Sequence, residues 1–390
     1  MKIKIVVACD KYKSNLSAFQ VCSTIKDAIL KVNSNIDVIV SPMADGGEGT
    51  VDTLVESFNG SFVSIKVKGP FSENVNARFG IINNDTAVIE MASASGLWLI
   101  PENKRNPLKT TTYGTGQLIK KALDMGCKKI IIGIGGSATN DAGMGMAQAL
   151  GVKFFDKENN ILGYGGQELL KINRIDASNL YSLTKKVKIF VACDVDNPLY
   201  GQRGAAYIYA PQKGADKEMV KILDKGLRNI AKVISNNLGK DVSNIKGAGA
   251  AGGLGAGLVA FLDAELKPGA DIIIEATSLE KKIKDADLVI TGEGIMDNQT
   301  FYGKSSFGVA KLAKKYNIPV ITINGAVDIS YEKIEPKKQK LFDGNFDTVS
   351  KILNLEEAIK KGKESLEDIT QELIRFYLST IIRYKKRVKI

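Results

Sequence analysis

The stretch KIIIGIGGSATNDAGMGM, Lys129 to Met146, decides how the chain is read. The apolar run Ile130-Ile131-Ile132 stops at Gly133-Ile134-Gly135-Gly136. Ser137, Thr139, Asn140 and Asp141 follow, and then small residues run on to Leu150. This order predicts a buried strand, a glycine turn carrying hydroxyls and an acid, and the start of a helix. Glycine lets the backbone approach a ligand closely, and the N–H groups that open a helix attract anions. The expected guest is a phosphate group.

The same rhythm recurs on either side. Ile3 to Cys9 reads as a strand that halts at Asp10 and Lys13, and Ser17 with Gln20 forms a capping box for the next helix. That helix is expected to place Phe19, Cys22, Ile25 and Ile29 on one side. Asp37 to Val40 is a second strand, leading into the loop Asp45-Gly46-Gly47-Glu48-Gly49, with Thr50 as the N-cap of a helix through Val51, Leu54, Val55 and Phe58. From about Ser61 short strands crowd together, and from Ala286 the strand–helix alternation returns. The reading is an α/β fold of two domains. An open Rossmann-like parallel sheet domain (1–60 and 285–390) is interrupted by a second α/β domain (61–284), with the site in the interdomain cleft.

Composition narrows the chemistry. The chain of 390 residues carries 54 basic and 43 acidic side chains, a net charge of +11. No nucleic-acid module accompanies the surplus, so it reads as a solvated surface favourable to anionic small molecules, with no nucleic-acid partner. Histidine is absent, which excludes Ser-His-Asp and Cys-His pairs and histidine metal ligands. The four cysteines form no CxxC pair and read as reduced thiols in a cytoplasmic protein. No apolar stretch is long enough to span a bilayer, so no membrane partner is expected.

Two glycine patterns compete for a nucleotide. Gly133 to Ala138 satisfies G-x-G-x-x-A after a strand, and Asp156 follows a further strand-like run, which makes a nicotinamide-dependent dehydrogenase the alternative function. Residues 247–257, GAGAAGGLGAG, satisfy the same pattern through Gly252 with no strand before it. Asp141 also stands where a bare pyrophosphate would sit, and an acid there suits a metal-bound nucleotide better. Asn298 to Ser305 falls short of a P-loop, but leaves Lys304 as a phosphate contact.

Five acidic loops remain, each after a strand-like run: Asp10 with Lys13; Asp45 and Glu48; Asn140 and Asp141; Asp194 with Asp196 and Asn197; Glu293 with Asp297. Carboxylates, glycine turns and a few lysines suit a magnesium-bound triphosphate and an attacking hydroxyl. Such transfer depends on positioning and charge neutralisation more than on a strong base. Asp194, which ends an apolar strand before Asn197-Pro198, has the strongest functional reading of any single acid.

Assembled in order, these stretches resemble the bacterial glycerate kinases of the glyoxylate and galactarate pathway type. The pieces are Asp10 and Lys13 with LSA (16–18), MADGGEGT (43–50), IEMA (89–92) with SGL (95–97), TTYGTG (111–116) and IGGSATND (134–141). ACDV (192–195) with NPL (197–199), PQKG (211–214), GAGAAGGLG (247–255) and TGEG (291–294) with Asp297, Gln299 and Thr300 complete the set. The resemblance implies phosphorylation of D-glycerate, at the 2-hydroxyl, with ATP and Mg²⁺ as cofactors. The matching loops carry over Asp10, Lys13, Asp45, Glu48, Ser137, Asn140, Asp141, Asp194, Glu293 and Asp297 as site residues.

Asp194, Asp45, Lys13 and Asp10 form the catalytic group. Asp194 or Asp45 would orient the acceptor hydroxyl, and Lys13 or Lys304 would neutralise phosphate or carboxylate. Gly46, Gly47, Glu48, Gly135, Gly136, Ser137, Thr139, Asn140, Asn197, Gly252, Gly253, Glu293 and Lys304 are expected to bind substrate or nucleotide. Asp141 and Asp297 are the expected metal ligands. The partners are D-glycerate and ATP, and a homodimer is left open. The chain departs from the family where a basic residue is usual (Ile295), where histidine is usual (Tyr302) and where glycine-serine is usual (Ser14-Asn15). A relative that binds a small acid or nucleotide without catalysis is therefore a further alternative.

Overall fold

The computed structural model describes residues 3–12, 15–349 and 355–388. Lys13, expected at the site, lies outside them. The chain divides into two compact units, Met1–Asp45 with Ala270–Ile390, and Gly46–Gly269. The borders expected at 60/61 and 284/285 thus fall at 45/46 and 269/270, for reasons of packing. The helix Thr50–Ser57 lies on the strands Asn74–Ile82 and Thr86–Glu90, in the second unit. In the first unit the helix Gly269–Ala276 meets Gly308 of the Ser305–Lys315 helix, where an added Cβ would stand 3.2 Å from Ala270 Cβ.

The first unit is built on five parallel strands in the spatial order Gly344–Asp347, Val320–Asn324, Leu288–Gly292, Lys4–Cys9, Asp37–Val40. Numbered along the unit from its far edge, that is the doubly wound order 2-1-3-4-5, whose switch point lies between Lys4–Cys9 and Leu288–Gly292. Both central strands are buried along nearly all their length, as parallel strands covered on both faces must be. The Ala18–Val32 helix has the expected capping box: Ser17 Oγ accepts from the Gln20 N–H and Gln20 Oε1 from the Ser17 N–H. Val21, Cys22, Ile25 and Ile29 pack inward, but Phe19 lies one position off that stripe and is exposed. The lysine-rich terminal helix, Leu355–Val388, lies against Ala18–Val32 and buries Leu366 and Ile374.

The second unit holds six strands in the order Glu265–Lys267, Lys188–Ala192, Lys129–Gly133, Thr86–Glu90, Asn74–Ile82, Ser61–Lys68. The first four run parallel and the last two form an antiparallel meander. Lys129–Gly133 is the expected strand, buried between two parallel neighbours. The run containing Phe154 and Phe155 does not join it. Lys153–Phe155 pairs antiparallel with Arg174–Asp176 in a separate ribbon, and Asp156 beyond it is bonded to Asn160. A dinucleotide fingerprint needs that acid at the end of a neighbouring parallel strand, so the Gly133–Asp156 unit lacks the geometry of the dehydrogenase reading.

Two helix starts also differ from expectation. Gly49, left-handed at φ 88°, is the N-cap before Thr50, and Thr50 Oγ1 donates back to Gly47 O at 2.7 Å. After the Gly133 turn the helix begins only at Met144. Among the described residues no helix is long and apolar enough to cross a membrane.

Candidate active site

Asp10 leaves the end of Lys4–Cys9 and Glu293 the end of Leu288–Gly292, on either side of the switch point of the first unit's sheet. Ligands of open α/β sheets bind at this place. The Asp10 N–H donates to Gly292 O at 2.8 Å, which ties the two loops together. Ser305, opening the Ser305–Lys315 helix, donates its hydroxyl to Asp10 Oδ2 at 2.7 Å, and the Lys11 N–H reaches Oδ1 at 2.7 Å. Burial and the Asp45 carboxylate push Asp10 up to about 7 against these two donors, with Glu293 adding to the repulsion. An acid so loaded by its neighbours is a place for a cation.

Glu293 accepts from Thr300 Oγ1 and Lys304 Nζ, both at 2.9 Å. Burial still leaves its carboxyl above the usual range, outweighing the ammonium beside it. Lys304 also reaches Asp297 Oδ1 at 3.1 Å. Its own burial works against the charge, but Glu293 and Asp297 prevail and hold it above the ordinary lysine value. Asp297 caps the turn Asn298–Tyr302 through the N–H groups of Gln299 and Thr300. Gly303, left-handed at φ 119°, then brings Lys304 back over the two acids. A cavity of about 580 Å³ opens here, with Asp10, Asp45, Glu293, Lys304 and Ser305 on its polar wall and Tyr12, Ile295, Val349 and Ile359 among its apolar lining. Pockets for drug-sized ligands measure roughly 300–1,000 Å³.

In the second unit the Gly46-Gly47 backbone crosses the carboxyl ends of two strands. A Cβ on Gly46, where φ is +84°, would fall 2.2 Å from Ala192 Cβ, and one on Gly133 would fall 2.3 Å from Gly46 O. Gly135 lies against Gly47, and Gly135, Gly136 and Glu48 are exposed. Asp194, at the end of Lys188–Ala192, is exposed, and its Oδ1 accepts from the Gly269 N–H at 2.8 Å. Asn197, half-buried, donates to Arg203 O and accepts from the Tyr209 hydroxyl.

Asp141 is fully buried, and its carboxylate accepts from Thr112 N–H (2.8 Å), Thr112 Oγ1 (2.9 Å), Gly143 N–H (3.2 Å) and Gly145 N–H (3.2 Å). It therefore fills the helix start where a phosphate was expected, and its lone pairs are spent within the fold. Burial nevertheless raises it above the normal carboxylate range. Gly252 and Gly253 are buried beneath this turn in left-handed conformations. A Cβ on Gly252 would lie 2.0 Å from Thr139 O, so these glycines serve close packing.

Asp10, Asp45, Glu293, Asp297 and Lys304 are thus gathered in one unit, and the Gly46-Gly47, Gly135-Gly136 and Asp194 loops at the strand ends of the other. Sequence reasoning missed Ser305 and Lys213. Lys213 lies in the PQKG stretch, is 2% exposed, and donates to Ser137 Oγ at 2.8 Å and Thr139 O at 2.7 Å. Its one signal was a lysine placed between proline and glycine.

An open parallel sheet whose switch-point loops set a lysine among carboxylates, beside a ligand-sized cavity, defines an α/β enzyme for anionic small molecules. The chain belongs to the glycerate kinase family, whose sequence profile matches residues 5–378, and it is a kinase of that family. It is 48% identical over 370 residues to the glycerate kinase of Halalkalibacterium halodurans, covering 95% of this chain and 97% of that protein. It is 47% identical over 365 residues to the glycerate 2-kinase of Escherichia coli K12, covering 93% and 95%. A crystal structure of a candidate glycerate kinase 2 from Salmonella typhimurium LT2 superposes with a TM-score of 0.89 at 44% identity, over 97% of this chain and 99% of that one.

Proposed function

We propose that this enzyme transfers the γ-phosphoryl group of magnesium-bound ATP to the 2-hydroxyl of D-glycerate, giving 2-phosphoglycerate. The observation that carries the reading is the gathering of Asp10, Asp45, Glu293 and Lys304 around one cavity at the switch point of a parallel sheet. The cavity is far larger than a three-carbon acid requires, and a nucleotide suits its mixture of polar and apolar walls. The relatives named above, as glycerate kinases, support the acceptor, and the E. coli relative's name supports the 2-position.

The donor chemistry fits magnesium. This ion takes one or two carboxylates and leaves its other positions to waters and phosphates. Asp10 and Asp45 would hold it, since the Asp45 carboxylate raises the cost of ionising Asp10 and a cation would relieve it. When bound, the ion neutralises phosphate oxygens. The chain's own part is positioning and further neutralisation. Lys304, held above Glu293 and Asp297, offers its ammonium to phosphate oxygens, and Ser305 fixes the carboxylate of Asp10. Asp194, exposed and with one oxygen anchored by the Gly269 N–H, orients the acceptor hydroxyl and takes its proton. In-line phosphoryl transfer asks little more of a protein than this.

Phosphorus NMR of the product formed from ATP, Mg²⁺ and D-glycerate tests the proposal. A 2-phosphoglycerate resonance is expected. A 3-phosphoglycerate resonance refutes the regiochemistry, and unchanged ATP under conditions that turn over the E. coli enzyme refutes the reaction.

A further inference from the structure

Lys213 belongs to the turn Pro211–Lys213, which is closed by Gly214 at φ +90°, where a Cβ would stand 2.4 Å from Arg105 O. This closure drives the lysine inward, and its side chain ends against the Ser137–Thr139 segment with 2% of its surface exposed. An ammonium has donors only. With Lys213 charged, Ser137 Oγ, 2.8 Å from Nζ, accepts, and the hydroxyl proton points elsewhere. Among the described residues no acceptor takes that proton. Ser137 is 8% exposed and directly follows Gly135 and Gly136, which are open to solvent. The hydroxyl thus stands at the rim of an exposed glycine turn, with a buried cation behind it.

The surrounding atoms agree with a site made for a ligand. Thr139 Oγ1 and both polar atoms of the Asn140 amide are fully buried and have no hydrogen-bond partner, an expensive condition for a turn with only a structural task. Burial pushes Lys213 down to about 7, and Asp141, whose negative charge supports the ammonium, is itself committed to four donors.

We infer that Lys213 is a positioning residue that fixes Ser137 as an outward hydrogen-bond donor, so that the Gly135–Ser137 turn takes an anionic oxygen, from a carboxylate or from a phosphate. The inference deepens the proposed function by giving this turn one of the two anionic groups of the reaction. It stands apart from that function in its test, which measures binding and needs no turnover.

The experiment titrates the full-length protein calorimetrically with D-glycerate and, separately, with inorganic phosphate, for wild type, Lys213→Met, Ser137→Ala and the double variant. Methionine keeps the length of the side chain and removes the buried charge, so a cooperative melt is retained. The expected result is a loss of at least tenfold in Lys213→Met for one of the two ligands, with the other within twofold, and the affected ligand tells carboxylate from phosphate. Ser137→Ala weakens the same ligand, and the double variant falls no more than about twofold below Lys213→Met, because one residue acts through the other. Unchanged affinity for both ligands overturns the inference, as does equal loss of both together with the melt. If Lys213→Met fails to fold, Ser137→Ala decides alone: wild-type affinity for both ligands overturns it. A protein that does not phosphorylate glycerate, yet loses anion binding in these variants, refutes the proposed reaction and leaves this site standing.

Discussion

Ser305 Oγ donates to Asp10 Oδ2 at 2.7 Å, joining the first strand of the chain to a helix nearly three hundred residues later. The bond opposes two stronger influences, burial and the Asp45 charge, which together bring the Asp10 carboxyl up to about 7 from 3.8. Because the folded value lies above the unfolded one, the native state binds the extra proton between these limits. The stability due to Asp10 is therefore full below pH 4 and is lost as pH rises through about 7. Urea unfolding without divalent metal should show the wild type losing stability relative to Asp10→Asn between pH 5 and pH 7.5. A difference independent of pH would place Asp10 at an ordinary carboxylate value. Ser305→Ala removes a bond that favours the ionised form, so it should move the transition to still higher pH.

Lys304 supplies the second prediction. It is about one-third exposed and bonds two carboxylates, one of them buried. Lys304→Met leaves Glu293 without its ammonium, but Glu293 already sits above the usual range and escapes the penalty by taking a proton. The stability cost is thus small, about 1 kcal/mol after allowance for solvent screening. On the proposed function catalysis has no such escape, because the phosphate oxygens would lose the ammonium of Lys304. A fall of roughly a hundredfold in kcat/KM is expected. Steady-state kinetics beside urea melts separates the two, and a variant with nearly full activity removes Lys304 from phosphate binding.

What the sequence made legible was whatever one segment determines. Hydrophobic runs marked Lys4–Cys9, Lys129–Gly133, Lys188–Ala192 and Leu288–Gly292 as strands, because a parallel strand covered on both faces has to be apolar throughout. Ser17 and Gln20 marked a helix start because both bonds lie within three residues. The sequence also put Asp10, Asp194 and Glu293 in loops that follow those strands, and there they lie. What escaped depends on contacts between distant segments. Ser305 gains meaning only from Asp10, and Lys213 only once Gly214 has turned it toward Ser137. Asp141 carried the composition of a ligand-binding acid, and only the fold shows its oxygens spent on Thr112, Gly143 and Gly145. Where Thr50–Ser57 packs was not legible either, because it reads as a helix wherever it lies.

Gly252 gives a test of the packing beneath the second unit's turn. Its φ is +67°, and a Cβ would meet Thr139 O at 2.0 Å, a backbone atom that cannot step aside. Gly126 has φ +84° and no atom within 4 Å of the same hypothetical Cβ. Gly126→Ala therefore carries only the conformational cost, about 1 kcal/mol, whereas Gly252→Ala adds steric overlap and should cost about 3 kcal/mol or more. Equal costs in urea melts would show that the 139–142 backbone yields freely.

Asp194 allows its structural and chemical parts to be separated. One oxygen accepts the Gly269 N–H at 2.8 Å. Asn keeps a carbonyl oxygen for that bond, while Ala keeps nothing, so Asp194→Ala should lose about 1 kcal/mol of stability more than Asp194→Asn. Neither variant retains a carboxylate to orient and deprotonate a hydroxyl. Both should therefore fall at least a hundredfold in kcat, however different their melts. If activity instead follows stability, with Asp194→Asn near wild type, the residue works only as an anchor for Gly269, and the proton of the acceptor hydroxyl leaves by another route. If both variants are slow while Asp194→Asn melts like wild type, the carboxylate itself is required, and the exposed position of Asp194 at the end of its strand has a chemical reason.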